Sequence, residues 1–314
     1  MLHRSARHLV EYVCARLLLG AVKRLGPAAA SGAAGRLAAL IGPQLPVSAV
    51  AARNLATVLS ALPESRRACI LRAMWDNLGR TVAELPHLAT LRETPAGPGY
   101  EIVGAAHLLA PPAHAGAAIY VSAHYGNWEL LPKILADRGA AFAPLYRRAG
   151  NPGIDRAIRA LRAGADGSMP AFAKGAAGAR AAAIHLARGG RLGLLVDQKL
   201  NEGIEVPFLG RPAMTTPFPA QLALRCRCPV IPGRIDRIGP LRFRLTVEAP
   251  LPLPDSGDAE RDVRTLTWAI NQVVESWIRA RPDHWLWLHR RWPAQPRPAA
   301  APARAWAARR TPAG

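Results

Sequence analysis

Between residues 100 and 250 short apolar runs alternate with stretches of helical spacing, and this alternation leaves the chain few architectures. Strands are expected at 117–123, 141–146, 192–197, 229–235 and 242–248, and helices at 128–138, 154–163, 176–188 and 216–225. A strand followed by a helix and another strand pairs in parallel through the crossover, so the expected fold is α/β, a largely parallel central sheet flanked by helices. Functional side chains of such a sheet gather where strands end.

One strand end stands out. Ile119-Tyr-Val-Ser-Ala-His-Tyr-Gly-Asn-Trp-Glu-Leu-Leu131 opens as a buried strand, passes a Gly126-Asn127 turn, and continues with Trp128, Leu130, Leu131, Ile134 and Leu135 at helical spacing. Asn127 is expected to cap that helix, which puts Glu129 in its first turn, where the helix dipole favours a carboxylate. A carboxylate bonded to one imidazole nitrogen fixes the tautomer and raises the basicity of the other, so Glu129 is expected to hold and charge His124 as a general base.

Upstream, residues 9–25 are apolar but carry Glu11, Arg16, Lys23 and Arg24, and the longest uncharged run, Leu17 to Val22, is far shorter than a membrane span. An interfacial helix lying among headgroups is expected, the alternative being an amphipathic helix packed on the domain. The segment also lacks the clean apolar core of a secretory signal. Residues 48–92 read as two helices separated at Pro63-Glu64, with Leu71, Met74, Trp75, Leu78, Val82 and Leu85 on one buried face. The long uncharged stretch from Ile102 to Trp128 contains Pro111-Pro112 and reads as strand, loop and strand. Residues 285–288, Trp-Leu-Trp-Leu, alternate as a late strand would, and tryptophan interleaved with arginine there suits a membrane–water boundary. After Pro293 the chain is Pro, Ala and Arg, expected to be a disordered basic tail. The formal charge of +20 implies polyanionic partners without choosing among nucleic acid, anionic membrane and acidic protein. Cys14, Cys69, Cys226 and Cys228 read as reduced thiols, and neither a metal nor a cofactor is expected.

His124-x4-Glu129 after a buried strand resembles the lysophospholipid-acyltransferase superfamily, and the Glu variant with Asn127-Trp128 inside it resembles the lipid A late acyltransferases, the lauroyl and myristoyl transferases. Further segments match in order: Tyr146-Arg147 with Asn151-Pro152 and Asp155, Asp197-Gln198, Thr215-Thr216 after Val206-Pro-Phe-Leu-Gly210, and Trp287-Leu-His-Arg-Arg291. The resemblance implies that Arg162, near the end of its helix, and Asp197, at a strand exit, join His124 and Glu129 as catalytic residues. Asp197 is expected to orient Arg162 or another cation. It further implies substrate-binding roles for Tyr146, Arg147, Asn151, Gln198, Thr215, Thr216 and Arg290. Thr216 before Pro217 also reads as a helix start whose free N–H groups suit an anion.

The organisation expected is a membrane-associating helix at 1–30, an acyltransferase domain at 31–293 and the tail at 294–314. The implied activity is transfer of a fatty acyl chain from acyl carrier protein to a hydroxyl of an anionic lipid A precursor, by direct attack with no acyl-enzyme, at the cytoplasmic face of an inner membrane and without nucleic acid. Two alternatives remain: an acyltransferase for another lipid, such as a lysophospholipid, glycolipid or amino-acid lipid, and a non-catalytic basic protein binding a membrane surface or nucleic acid.

Overall fold

The structure is a computed structural model that describes residues 8, 11–13, 16, 19–108, 116–146, 148, 150–162 and 170–293. Its elements in chain order are α1 (Pro27–Ile41), α2 (Ser48–Val58), α3 (Glu64–Glu84), β1 (Gly99–Val103), β2 (Ala118–Ser122), α4 (Leu131–Asp137), β3 (Ala143–Tyr146), α5 (Pro152–Arg162), β4 (Phe172–Ala173), α6 (Ala176–Ala187), β5 (Arg191–Leu195), β6 (Ile204–Phe208), β7 (Arg211–Thr215), α7 (Phe218–Cys226), β8 (Val230–Gly239), β9 (Arg242–Val247) and α8 (Ala259–Ala280). Seven strands form one sheet in the order β1-β9-β8-β2-β5-β3-β4, and β6 and β7 make a separate hairpin. All neighbours in the sheet are parallel except β8 and β9.

β2 is central and buried along its whole length. Its side chains alternate between two cores: Ile119, Val121 and Ala123 pack with Leu192, Leu194 and the helices on one face, while Ala118 and Tyr120 pack with Ile231, Phe142 and α4 on the other. Burial on both faces is why this strand reads as a continuous apolar run. α1 and α3 pack at close range because glycines meet there: a Cβ on Gly79 would lie 2.4 Å from the Ala34 carbonyl oxygen.

The expected strands at 117–123, 141–146, 192–197, 229–235 and 242–248 correspond to β2, β3, β5, β8 and β9, and the four expected helices to α4 to α7. The β6–β7 hairpin and α8 were not foreseen. Pro207 and Pro212 sit opposite each other in the hairpin and obscure its pattern, whereas Leu266, Ile270, Val274, Trp277 and Ile278 give α8 an ordinary buried face. The late strand at 285–288 is absent. Trp285 makes one bridge to Tyr125, after which the chain turns. The Asn54 amide donates to the Trp287 and His289 carbonyls at 2.8 and 2.7 Å, in place of a partner strand. Nor are these tryptophans at a boundary: Trp277, Trp285, Trp287 and Trp292 are core residues, gathered around Phe208 and Tyr125.

The described residues between 8 and 24 are helical, and they touch the domain at Asn151, whose amide donates to the His8 carbonyl (2.7 Å) and Glu11 (3.1 Å). No helix among the described residues is long and apolar enough to cross a membrane. The tail at 294–314 lies outside the described residues.

Candidate active site

The parallel register of β2 and β5 pairs Ser122 with Leu195, and both chains run two residues further before their functional side chains, His124 and Asp197. The ladder continues that far, since the Val196 amide donates to the Ser122 carbonyl at 3.0 Å. His124 and Asp197 therefore lie side by side at the carboxyl ends of adjacent central strands. Asp197 Oδ1 is 2.9 Å from His124 Nδ1, and its Oδ2 accepts from the His124 backbone amide (3.0 Å) and from the Trp285 indole (2.8 Å). Burial of this carboxyl opposes ionisation, but the His124 imidazole, His289 and the indole outweigh it and hold Asp197 well below the usual carboxylate range. A carboxylate accepting at Nδ1 makes that nitrogen the protonated one, so Nε2 presents a lone pair.

This geometry corrects two expectations. The partner of His124 Nδ1 is Asp197, so Glu129 does not hold that nitrogen; its carboxylate accepts from the Trp128 indole at 3.1 Å. Asp197, for its part, orients the His124 imidazole. Asn127 does not cap the following helix with its side chain either. It is wholly buried and its amide donates to Glu84 at 2.7 Å, in a network where Arg237 grips Glu84 with both terminal nitrogens and Ser31 donates to the same carboxylate. The helix begins instead as a short 3₁₀ turn at Trp128–Leu130 that passes into α4.

The turn after His124 is fixed by Gly126, at φ 57°. A Cβ there would stand 1.6 Å from the Ile235 carbonyl oxygen, so a side chain is excluded by contact as well as by backbone conformation. Its carbonyl accepts from Asn77 (2.9 Å) and Thr81 (3.2 Å) on α3, and its amide donates to the His284 carbonyl at 2.9 Å.

Around His124 Nε2 stand Trp128, whose ring centroid lies 5.3 Å from the imidazole, and His289, at 5.1 Å. Gln198 lies between the two histidines, its Nε2 at 3.4 Å from His124 Nε2 and 3.2 Å from His289 Nε2. Burial, reinforced by His124, pushes the His289 imidazole down to about 4, so it is neutral at neutral pH.

The remaining candidates have different surroundings. Tyr146 ends β3, and its carbonyl accepts from the Lys174 amide at 2.7 Å. Asn151 caps α5 as expected, accepting from Gly153 (2.9 Å) and Ile154 (3.3 Å), while its amide anchors the N-terminal helix; these bonds are structural. Thr215 is buried, and its hydroxyl accepts from Arg291 at 2.7 Å. The Thr216 hydroxyl accepts weakly from Phe218 at the start of α7, at 3.4 Å. In the Arg290-Arg291 pair the first side chain is exposed, whereas Arg291 is buried over the Phe208 ring. Arg162 ends α5, but its side chain, like Arg147 as a whole, lies outside the described residues.

Trp285, Asn54 and His289 were not foreseen as parts of the site. Trp285 fastens Asp197, and Asn54 holds the turn that carries His289. The matching spacing of His124 and Asp197 beyond their strands was the available signal, but it becomes informative only once β2 and β5 are known to be neighbours.

A family model described as bacterial lipid A biosynthesis acyltransferase matches residues 3–294. Among curated proteins none matches the chain. Among solved structures, the crystal structure of the 1-acyl-sn-glycerophosphate (LPA) acyltransferase PlsC from Thermotoga maritima is similar over 78% of this chain and 99% of that chain, with 13% identity and a TM-score of 0.35.

Proposed function

The chain belongs to the bacterial lipid A biosynthesis acyltransferase family, and we propose that it moves a fatty acyl chain from an acyl carrier protein thioester to a hydroxyl of a lipid A precursor, with His124 as general base. The observation that carries the mechanism is the His124–Asp197 pair. Asp197, buried and ionised, holds Nδ1–H at 2.9 Å, which leaves Nε2 to take the acceptor's proton and Asp197 to stabilise the imidazolium that forms. The acceptor oxygen attacks the thioester carbonyl directly, and the departing thiolate recovers the proton from His124. Ser122, the neighbouring hydroxyl, is buried within β2, which favours direct transfer over an acyl-serine.

Donor and acceptor chemistry are supported by charge: an acidic carrier and a phosphorylated acceptor both suit a chain of net charge +20. We place the protein at the cytoplasmic face of the inner membrane. Support for a membrane surface comes from α1 and the turn after it, where Leu37, Leu40, Ile41, Leu45 and Val47 are all exposed and Arg36 is the single charged residue between Leu25 and Ala52.

The test is transfer of labelled acyl chains from acyl carrier protein, or from coenzyme A, to a phosphorylated lipid A precursor and to a lysophospholipid. Transfer from the carrier to the lipid A precursor alone is expected. Efficient transfer to the lysophospholipid with none to the precursor would overturn the acceptor, and coenzyme A serving better than the carrier would overturn the donor.

A further inference from the structure

General-base catalysis leaves one need of the reaction unmet: a donor for the negative charge that develops on the thioester carbonyl oxygen. Among the described residues, the Gln198 carboxamide stands beside the free ring nitrogen of the base, at 3.4 Å. The carboxamide is contacted at both ends: Lys174 Nζ donates to Oε1 at 3.5 Å, while Nε2 faces two imidazole nitrogens at 3.4 and 3.2 Å. The two N–H bonds of one amide nitrogen thus have two acceptors, Nε2 of His124 and Nε2 of His289. His289 is itself held, since its backbone carbonyl accepts from Asn54 at 2.7 Å, and its partly buried ring, neutral at neutral pH, keeps one nitrogen as an acceptor.

We propose that Gln198 is the oxyanion donor of the acyl transfer and that His289 and Lys174 are its positioning residues. The inference rests on the acyltransfer reading of this site. When an acceptor hydroxyl donates to His124 Nε2, it replaces the amide there and frees one Gln198 N–H, while the bond to His289 keeps the carboxamide in place. The acceptor O–H bond then breaks with its proton going to His124, an O–C bond forms, and the carbonyl π pair moves to oxygen, where it meets the freed N–H. Collapse restores the carbonyl, breaks C–S, and returns the proton to the thiolate. Lys174 on Oε1 polarises the amide and strengthens its N–H as a donor.

The experiment pairs kinetics with ring nitrogen spectroscopy on the full-length protein, using Gln198→Met, His289→Leu and His289→Gln beside wild type and His124→Ala. With acyl carrier protein and the lipid A precursor, Gln198→Met is expected to lose about 10²–10³ in kcat with KM little changed. His289→Leu is expected to lose kcat by a smaller factor, which His289→Gln restores because its amide oxygen still accepts. In ¹⁵N spectra of the substrate-free protein, Gln198→Met is expected to move the Nε2 resonances of both His124 and His289. Equal kcat in wild type and Gln198→Met, or unmoved Nε2 resonances, would overturn the oxyanion assignment. A His289→Gln variant no better than His289→Leu would overturn the positioning role. A wild-type protein inactive on the precursor would instead strike the substrate reading, and the spectra, which need no substrate, still decide the bridge.

Discussion

At the scale of single residues, the site depends on a few groups that cannot be exchanged. Gly126→Ala places a methyl against the Ile235 carbonyl and a side chain at φ 57°, so the expected outcome is loss of transfer together with a lowered melting temperature, read by calorimetry. His289 gives a pH dependence. Its imidazole is depressed to about 4 in the folded protein and returns to the ordinary value near 6.5 on unfolding, so the unfolded chain takes up a proton first as the pH falls. The stability that His289 contributes is therefore complete above about pH 6.5 and is lost as the pH falls towards 4, by about 3 kcal/mol in total. Denaturant titrations of wild type and His289→Gln at pH 7 and pH 4.5 check this, with a smaller acid loss expected in the variant. His124 and Asp197 were each legible in the sequence, one before a Gly-Asn turn and the other at the exit of an apolar run. Their pairing was not. Glu129 is five residues from His124 and Asp197 is seventy-three, yet strand register brings the distant acid to the ring.

Among the elements, the sheet was easier to read than the helices that brace it. β2, β3, β5, β8 and β9 are short apolar runs with turn residues at their ends, and burial on both faces makes such runs conspicuous. Residues 285–288 misled because alternation also arises when a turn buries two tryptophans on one side, with side-chain amides replacing a strand partner. Asn127 misled for a similar reason: its preference for helix caps was overridden by Glu84, an acid buried on α3. That acid ties α1, α3, β8 and the turn after β2 together, and Arg237 neutralises it in a bidentate pair. Removing one partner leaves a buried charge, so Arg237→Met is expected to cost about 3–5 kcal/mol in urea unfolding. The double variant Arg237→Met/Glu84→Met is expected to recover part of that loss, because no uncompensated charge remains.

For the whole molecule, charge and exposed apolar surface bear on where it works. Tryptophan-rich composition near residue 285 pointed to a membrane boundary, but those rings fill the core, and the exposed apolar side chains lie on α1 and the turn after it. Sequence patterning missed this because α1 is mostly alanine and glycine and has only a weak apolar contrast. Cosedimentation with anionic vesicles is expected to weaken as salt rises and to fall further in Leu40→Glu/Ile41→Glu, while acyl transfer to a detergent-dispersed acceptor is unchanged. That His124 works as a base oriented by Asp197 and not by Glu129 is checked by single-turnover acyl transfer in His124→Ala, Asp197→Asn and Glu129→Gln against wild type, each shown to be folded. This orientation predicts losses of about 10²–10⁴ in the first two and a smaller loss in the third. Asp197→Asn transferring at the wild-type rate, with Glu129→Gln inactive, would contradict it.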